Sequence, residues 1–123
     1  MKILHYGTEQ DYLAISEAME NLPLYADQIK EYSQYDEYED FLYALTNHHY
    51  NVVIVTADNA VGMEGVIAVK NYRPDLPLVW FSNDSEFGLQ SYRLGCTYFG
   101  VRPITADKLE RAIGRCGMQM RMA

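Results

Sequence analysis

Short apolar runs alternate along the chain with longer segments in which apolar residues recur every three or four positions. The apolar runs predict strands at residues 2–6, 52–55, 78–81 and 97–101, with a weaker strand around residues 28–32. The three-to-four spacing predicts helices at about residues 8–22, 36–47, 66–72 and 85–94, and a last helix from residue 105. Residues 58–65 are expected to form a loop. A strand followed by a helix is therefore repeated five times.

The third strand indicates how these units pack. Val52, Val53, Ile54 and Val55 are consecutive β-branched residues, which is typical of a strand buried on both faces. Such strands alternating with helices predict a parallel sheet with helices on both sides. We therefore expect an α/β fold, a doubly wound (βα)5 unit with a five-stranded parallel sheet. It forms one domain at residues 1–117, followed by a short tail at residues 118–123 that is too small for an output domain.

The charge of the chain is unevenly distributed. The net charge is −7, yet residues 1–65 carry twelve acidic and two basic groups, whereas residues 66–123 carry five acidic and eight basic groups. Direct nucleic-acid binding by the domain is not expected, because affinity for phosphates requires clustered lysine and arginine. The basic C-terminal groups are a solvated helix surface or a surface for an acidic protein; they are Arg102, Lys108, Arg111, Arg115 and Arg121.

Other classes of protein receive no support from the sequence. No stretch approaches the roughly 18 apolar residues that span a bilayer, and the first residues lack the layout of a signal peptide, so we expect a cytoplasmic protein without a membrane partner. Cys96 and Cys116 are expected to be small apolar side chains, not a disulfide or zinc site. His5 is expected to be a hydrogen-bonded core histidine. We find no Gly-rich phosphate loop or nucleophile elbow, and therefore predict that the domain is not an enzyme.

Three ordered motifs resemble a known family. They are Gly62-Met63-Glu64-Gly65, Leu76-Pro77-Leu78-Val79-Trp80-Phe81-Ser82 and Gly95-Cys96-Thr97-Tyr98-Phe99-Gly100-Val101-Arg102-Pro103. Together they resemble the receiver domain of bacterial two-component response regulators over essentially the whole chain. The segment at residues 85–92 is similar to receivers that precede LytTR-type DNA-binding domains. The resemblance implies a flavodoxin-like sheet with the strand order 2-1-3-4-5.

The resemblance also implies a phosphorylation site, from which this sequence departs. In the family, two acidic residues after the first strand and one aspartate after the third hold Mg²⁺, and that aspartate accepts the phosphoryl group. The positions of the acidic pair are here Gly7 and Thr8, and Glu9 falls one place too far along. Without two of three anionic ligands, most of the affinity for a hard divalent cation should be lost. No metal or other cofactor is therefore expected.

The position of the phosphoacceptor is ambiguous in the sequence. Counting back from Gly65 gives Ala57, and counting forward from Tyr50 gives Thr56. Asp58 occupies the position only if one loop residue is deleted, so the site contains a one-residue insertion. We keep Asp58 as a candidate phosphoacceptor, with an ordinary loop or cap aspartate as the alternative.

Three further residues match the switch positions of the family. Ser82 and Phe99 match the hydroxyl and aromatic residues that respond to phosphorylation, and Arg102 replaces the lysine that pairs with the phosphoryl group. An arginine keeps the charge but presents a planar fork instead of a compact ammonium. Without phosphate, Ser82 satisfies a backbone group and Phe99 belongs to the core or an interface. Arg102 binds an anion, pairs with Asp58 or is exposed.

The leading hypothesis is a pseudo-receiver that docks a protein without normal aspartyl phosphorylation. In the family, the fourth helix, fifth strand and fifth helix form a dimer surface. We expect the corresponding surface here to bind a second copy or an acidic protein; its residues are Tyr92, Arg93, Tyr98, Lys108 and Arg111. The segment between Tyr32 and Tyr43 is rich in acidic residues and tyrosines. It either forms a second interaction surface or covers the hydrophobic core, and the sequence supports both interpretations equally.

Two alternatives remain open. In one, the chain is a single-domain relay that is phosphorylated on Asp58, with Glu9 helping to hold Mg²⁺. In the other, it is the receiver fragment of a DNA-binding response regulator.

Overall fold

Five parallel strands form one sheet in the order β2-β1-β3-β4-β5, which confirms the predicted fold class and strand order. The computed structural model describes residues 1–122, without the side chains of Leu24, Arg121 and Met122; Ala123 lies outside the described residues. The strands are β1 Lys2–Tyr6, β2 Glu31–Tyr35, β3 Val52–Val55, β4 Leu78–Ser82 and β5 Tyr98–Val101. Their carboxyl ends meet at one edge, where such sheets carry their functional sites.

Six helices cover the sheet. They are α1 Glu9–Glu20, α2 Pro23–Ala26, α3 Tyr38–Asn47, α4 Asn59–Tyr72, α5 Phe87–Arg93 and α6 Ala106–Met122. One core lies between the sheet and α1 and α6, and a second lies between the sheet and α3, α4 and α5. No helix within residues 1–122 is long and apolar enough to cross a membrane.

Helix α4 begins earlier than the sequence predicts. Residues 59–65, expected to be a loop, form its first two turns, although glycines usually weaken helices. A β-carbon at Gly62 would overlap the carbonyl oxygen of Ala57, and one at Gly65 would press on the ring of Tyr6. The glycines therefore allow α4 to lie directly against the end of β3.

Other boundaries also differ from the prediction. Strand β2 begins at Glu31, three residues later than expected, because the preceding residues turn back after the short helix α2. That helix, which starts at Pro23, was not predicted. Helix α6 continues to Met122, so residues 118–122, expected to be a tail, are helical. Within that segment, the side chain of Arg121 lies outside the described part of the structure.

The alternation of side chains along each strand determines which residues face α1 at the carboxyl edge of the sheet. Leu4 and Tyr6 pack in the core beneath α3 and α4, whereas Ile3 packs in the core beneath α1 and α6. Because side chains alternate with a period of two, His5 shares the face of Ile3. The same alternation carries Thr56, directly after β3, to the face beneath α1.

Candidate functional site at the carboxyl edge of the sheet

A paired arginine and aspartate occupy this edge of the sheet. Arg102 Nη1 donates to Asp11 Oδ1 and Arg102 Nη2 donates to Asp11 Oδ2, both at 2.7 Å. Arg102 Nη2 also donates to the carbonyl oxygen of Thr56 at 2.7 Å. Bidentate pairing is the strongest geometry that an arginine and a carboxylate adopt. Only 24% of the Arg102 side chain and 12% of the Asp11 side chain are exposed, so water screens the pair weakly.

The sequence around Asp11 explains how its carboxylate reaches the sheet. Thr8 is the N-cap of α1, and its hydroxyl accepts a hydrogen bond from the backbone N–H of Asp11 at 3.1 Å. Asp11 therefore stands in the first turn of α1, where the helix dipole favours a negative charge. Since α1 covers the face that bears Thr56, the carboxylate meets the arginine there.

A buried chain of hydrogen bonds continues from this pair into the core. The hydroxyl of Thr56 lies 2.7 Å from His5 Nε2, and the hydroxyl of Tyr32 lies 3.0 Å from His5 Nδ1. Thr56 also helps to lower the pKa of Asp11. With the Thr56 hydrogen directed towards that carboxylate, which only accepts, the Thr56 oxygen accepts from His5 Nε2–H and His5 Nδ1 accepts from the Tyr32 hydroxyl.

The protonation states agree with this assignment. Burial lowers the pKa of His5 to about 4, so the imidazole is neutral at pH 7; by smaller amounts, the charge of Asp11 raises this pKa and the charge of Arg102 lowers it. Burial alone would raise the pKa of Asp11, but hydrogen bonds from Arg102 and Thr56 and the arginine's charge outweigh it and leave that pKa lowered. Burial raises the pKa of Tyr32, which keeps its hydroxyl a donor.

Gly7 is required by the same arrangement. A β-carbon at this position would overlap the hydroxyl oxygen of Thr56 and lie 2.8 Å from His5 Nε2. The position where the family resemblance implies the first carboxylate therefore has no room for any side chain.

The end of β3 places Thr56, not an aspartate, inside the site. The strand register pairs Tyr6 of β1 with Val55 of β3, and the next residues along are Gly7 and Thr56. Thr56 is 1% exposed. Ala57 follows as a half-buried residue packed against the core beneath α4. Of the two positions reached by counting in the sequence, Thr56 therefore stands beside the Asp11–Arg102 pair.

Asp58 lies at the mouth of the site. Its side chain is 50% exposed, accepts a hydrogen bond from Asn83 Nδ2 at 3.0 Å, and lies 3.7 Å from Arg102 Nε. The predicted contact between Arg102 and Asp58 thus exists, but as the weaker of two contacts. The cleft above them has a volume of about 620 Å³; its other lining residues are Thr8, Gln10, Asp11, Ala14, Asn83, Pro103 and Ile104.

The residues present do not fit a Mg²⁺ cage of the kind that the family resemblance implies. Gly7 contributes no side chain, Thr8 caps α1, and the carboxylate of Asp11 is bound on both oxygens by Arg102. Glu9 is exposed on α1 and takes no part in the contacts described above. Within residues 1–122, no group of three or more His, Cys, Asp or Glu side chains is arranged to hold a metal ion.

Two of the three switch-like residues, Ser82 and Phe99, lie on the other face of the sheet. Ser82 is buried, and its hydroxyl accepts a hydrogen bond from the backbone N–H of Asp84 at 3.1 Å. Phe99 is half-buried and packs edge-on against Trp80, with ring centroids 5.5 Å apart. Ser82 therefore satisfies a backbone group, and Phe99 packs against the core beneath α5.

The expected partner surface is only partly present. Tyr92 is 84% exposed, and Arg93 is also exposed. Arg111 is exposed and pairs with Asp107 on the same helix, at 2.6 Å.

Two members of the expected surface differ from the prediction. Tyr98 was expected at the interface but is 7% exposed, because it packs in the core beneath α6 with Arg115 stacked 5.2 Å above its ring. Lys108 Nζ is engaged by the carbonyl oxygens of Val101 and Pro103, at 2.6 and 3.1 Å.

Sequence reasoning missed Asp11 and Tyr32 as members of the site, whereas the prediction that His5 is a hydrogen-bonded core histidine is confirmed. Two signals were available. The period-two alternation puts His5, Thr56 and Arg102 on one face at the same ends of their strands. In addition, an arginine on this covered face needs a carboxylate partner, and the first turn of the covering helix supplies Asp11.

Solved structures with the same fold include response-regulator receiver domains. The N-terminal signal receiver domain of a two-component system response regulator from Bacteroides fragilis is 18% identical, covers 94% of each chain and has a TM-score of 0.74. A CheY-like receiver domain protein from Methanospirillum hungatei is 15% identical, with a TM-score of 0.74 over 99% of this chain and 98% of that one. The chain thus has the receiver fold that the sequence suggested.

A third similar structure contains Mg²⁺ and BeF. The response regulator TrrA from Thermotoga maritima, solved in complex with Mg²⁺ and BeF, is 16% identical and has a TM-score of 0.70 over 94% of this chain and 97% of that one. Comparison with protein-family models and with curated proteins gives no match. These similarities establish the fold and leave the chemistry to the residues themselves.

Replacing Asp11 with alanine should show how much its pair with Arg102 contributes to the free energy of unfolding. Asp11→Ala leaves a partly buried guanidinium with one carbonyl oxygen and the more distant Asp58, so the free energy of unfolding should fall by about 2–4 kcal/mol. Asp107→Ala breaks an exposed pair on α6 and should cost less than about 1 kcal/mol. Urea unfolding measures both, and equal losses would contradict a special role for the Asp11–Arg102 pair.

The free energy of unfolding should decrease as the pH is lowered through the range in which His5 titrates. The unfolded chain binds a proton on this histidine below its ordinary pKa of 6.5, whereas the folded chain does so only near pH 4. The free energy of unfolding should therefore fall as pH drops from about 6.5 to about 4, by up to ~3 kcal/mol. The lowered pKa of Asp11 acts separately, since its contribution is lost below about pH 3.8.

The matched control for this pH dependence is His5→Gln, which keeps a donor and an acceptor but does not titrate. Its urea unfolding free energy should change less between pH 6.5 and 4 than that of the unmodified protein. The same slope in both proteins would show that other groups cause the effect.

Proposed function

We propose that this domain is a signalling module that contacts other proteins without accepting a phosphoryl group on an aspartate. The observation that carries the proposal is the state of Arg102. Its two terminal nitrogens donate to Asp11 and to the Thr56 carbonyl, and its Nε faces Asp58. The cation that would offset phosphoryl charge in a receiver is thus neutralised by the protein itself.

The charge of the cleft supports the same proposal. Asp11 and Asp58 lie beside a single cation, Arg102, so an incoming phosphate dianion would have to displace a bidentate carboxylate. Neither Thr56 nor Ala57 supplies a carboxylate nucleophile. The domain therefore acts through its surface, by binding other proteins. The carboxyl edge of the sheet, where a receiver would be phosphorylated, stabilises the fold instead.

The exposed part of the predicted partner surface is where we place the contact. Tyr92 and Arg93 project from α5, and Arg111 from α6, giving an aromatic and basic patch suited to a second copy or to an acidic protein. The proposal holds whether the domain acts alone or is joined to an output domain, because either arrangement uses a surface of this kind.

The second candidate function is a relay phosphorylated on Asp58. One observation favours it: this carboxylate is half exposed at the mouth of the cleft and has Asn83 and Arg102 close by. Mg²⁺ would then have to bind with Asp58 and Glu9 alone, which is a poor donor set for a cation that needs six oxygen ligands.

Phosphodonor treatment should leave the chain unmodified. After incubation with Mg²⁺ and acetyl phosphate, the intact mass should match that of the untreated protein, because Thr56 stands where the acceptor is needed and Arg102 is already paired. A phosphorylatable receiver treated in parallel confirms that the donor is active.

Asp58→Asn distinguishes the two candidate functions. A phosphoryl adduct that disappears in Asp58→Asn would establish the relay and overturn the proposal. An adduct that survives in this variant would also contradict the proposal if it maps to another aspartate.

A homodimer through the aromatic and basic patch should be visible in solution. Light scattering should give twice the 14.2 kDa chain mass at high concentration, and Tyr92→Ala should shift the population toward the monomer because the most exposed ring of the patch is removed. Tyr43→Ala is the matched control, since this tyrosine is 65% exposed on α3, away from the patch. A monomeric unmodified protein would exclude the homodimer.

A further inference from the structure

A groove runs along the outer face of α4, on the opposite face of the sheet from α1 and the Asp11–Arg102 pair. Its volume is about 440 Å³, and apolar side chains dominate its surface. The residues that line this α4 groove are Tyr38, Ala60, Met63, Glu64, Ile67, Ala68, Asn71, Tyr72 and Phe87. Most of them come from successive turns of a single helix, so the groove is elongated along the helix axis.

The two aromatic walls of the α4 groove are held by the core. Tyr38, at the start of α3, meets the ring of buried Tyr6 with centroids 6.1 Å apart. Phe87, at the start of α5, packs against buried Trp80 at 5.4 Å. Because both walls rest on buried rings, the groove is preformed and its occupant need not order it.

The open side of the groove carries apolar surface that the fold does not cover. Ile67 is 38% exposed and Tyr72 is 56% exposed, five residues apart on α4. Exposed apolar side chains gathered in one recess indicate a binding surface more than scattered ones do.

The charge around the α4 groove is negative. Glu64 is the charged residue among the lining residues, and it helps burial to raise the pKa of the Tyr38 hydroxyl. The adjoining first turn of α3 and the residues before it are acidic; they are Asp36, Glu37, Glu39 and Asp40. The two cations of the last turns are directed elsewhere, Lys70 to the Gly95 carbonyl and Arg73 to the His48 carbonyl.

We infer that the α4 groove binds a basic amphipathic helix of a partner protein. Residues 60–72 of α4 span about 18 Å at 1.5 Å per residue, which matches roughly three turns of a helix laid alongside. Apolar anchors at intervals of three and four would enter between Tyr38, Ile67 and Phe87, and flanking lysines or arginines would face Glu64 and the acids of α3.

The chemistry favours another protein over a second copy as the occupant. The helix with the most basic residues, α6, buries its apolar face in the core, at Leu109, Ala112, Ile113 and Cys116. A second copy could therefore offer the groove only a basic helix without a free apolar stripe. The α4 groove is also separate from the patch around Tyr92, so the inference stands whether or not that patch makes dimers, and phosphorylation plays no part in it.

A synthetic helix provides the direct test. The probe is a fluorescein-labelled, helix-forming peptide of about 18 residues with leucines at intervals of three and four and lysines on the flanks. Fluorescence anisotropy should show saturable binding to the full chain, and amide NMR shifts should map to α4 and the start of α3. Glu64→Lys and Ile67→Ser should each raise the Kd by about tenfold or more, because they remove the charge and the apolar anchor.

The controls make the same changes on another exposed helix. Glu17→Lys and Leu13→Ser lie on α1, both at exposed positions, and should leave the Kd within about twofold of the unmodified value. A second peptide with glutamates in place of the lysines should not bind.

Four results would overturn the inference. They are absence of binding, binding unaffected by Ile67→Ser, equal binding of a lysine-rich peptide without the leucine stripe, and self-association that Ile67→Ser abolishes. The last result would assign the α4 groove to a second copy. None of these results bears on whether Asp58 is phosphorylated, so the two proposals fail separately.

Discussion

The bidentate contact between Arg102 and Asp11 joins three parts of the domain that lie far apart in the sequence. The guanidinium stands at the end of β5, the carboxylate at the start of α1, and the shared carbonyl oxygen belongs to Thr56 at the end of β3. A mostly buried charge is tolerated only with a partner, so each group requires the other. The neutral His5 and the hydroxyl of Tyr32 extend this requirement into the core.

In this arrangement, the carboxyl edge of the sheet holds the strands and α1 together. In such a sheet the carboxyl ends of the strands normally leave polar groups free for a ligand. Here the hydroxyl, imidazole, guanidinium and carboxylate groups have partners within the domain, and no buried side-chain polar atom among the described residues lacks a partner. The two surfaces that we propose for other molecules lie on the helices, namely the aromatic and basic patch around Tyr92 and the acidic groove along α4.

The sequence was sufficient for the architecture, because five apolar runs separated by helical spacing permit few other folds. Prediction from the sequence failed where the local conformational preference of a residue disagrees with the tertiary contacts that it makes. Gly62 and Gly65 argue against a helix when read locally, but close packing against Ala57 and Tyr6 makes them necessary in one. The site was harder, because the Asp11–Arg102 pair joins residues 91 positions apart, and only the layering of α1 over the sheet brings them together.

The space above Gly7 bears on how such a site changes over evolutionary time. An aspartate cannot enter position 7 while Thr56 and His5 keep their places, because its first side-chain atom would overlap them. Removing either residue first breaks the chain of hydrogen bonds that holds the Asp11 carboxylate. Every single-step route to a carboxylate at position 7 therefore begins with a less stable protein. The neighbours of Gly7 restrict this position to glycine, and a side chain there requires coordinated replacement of several residues.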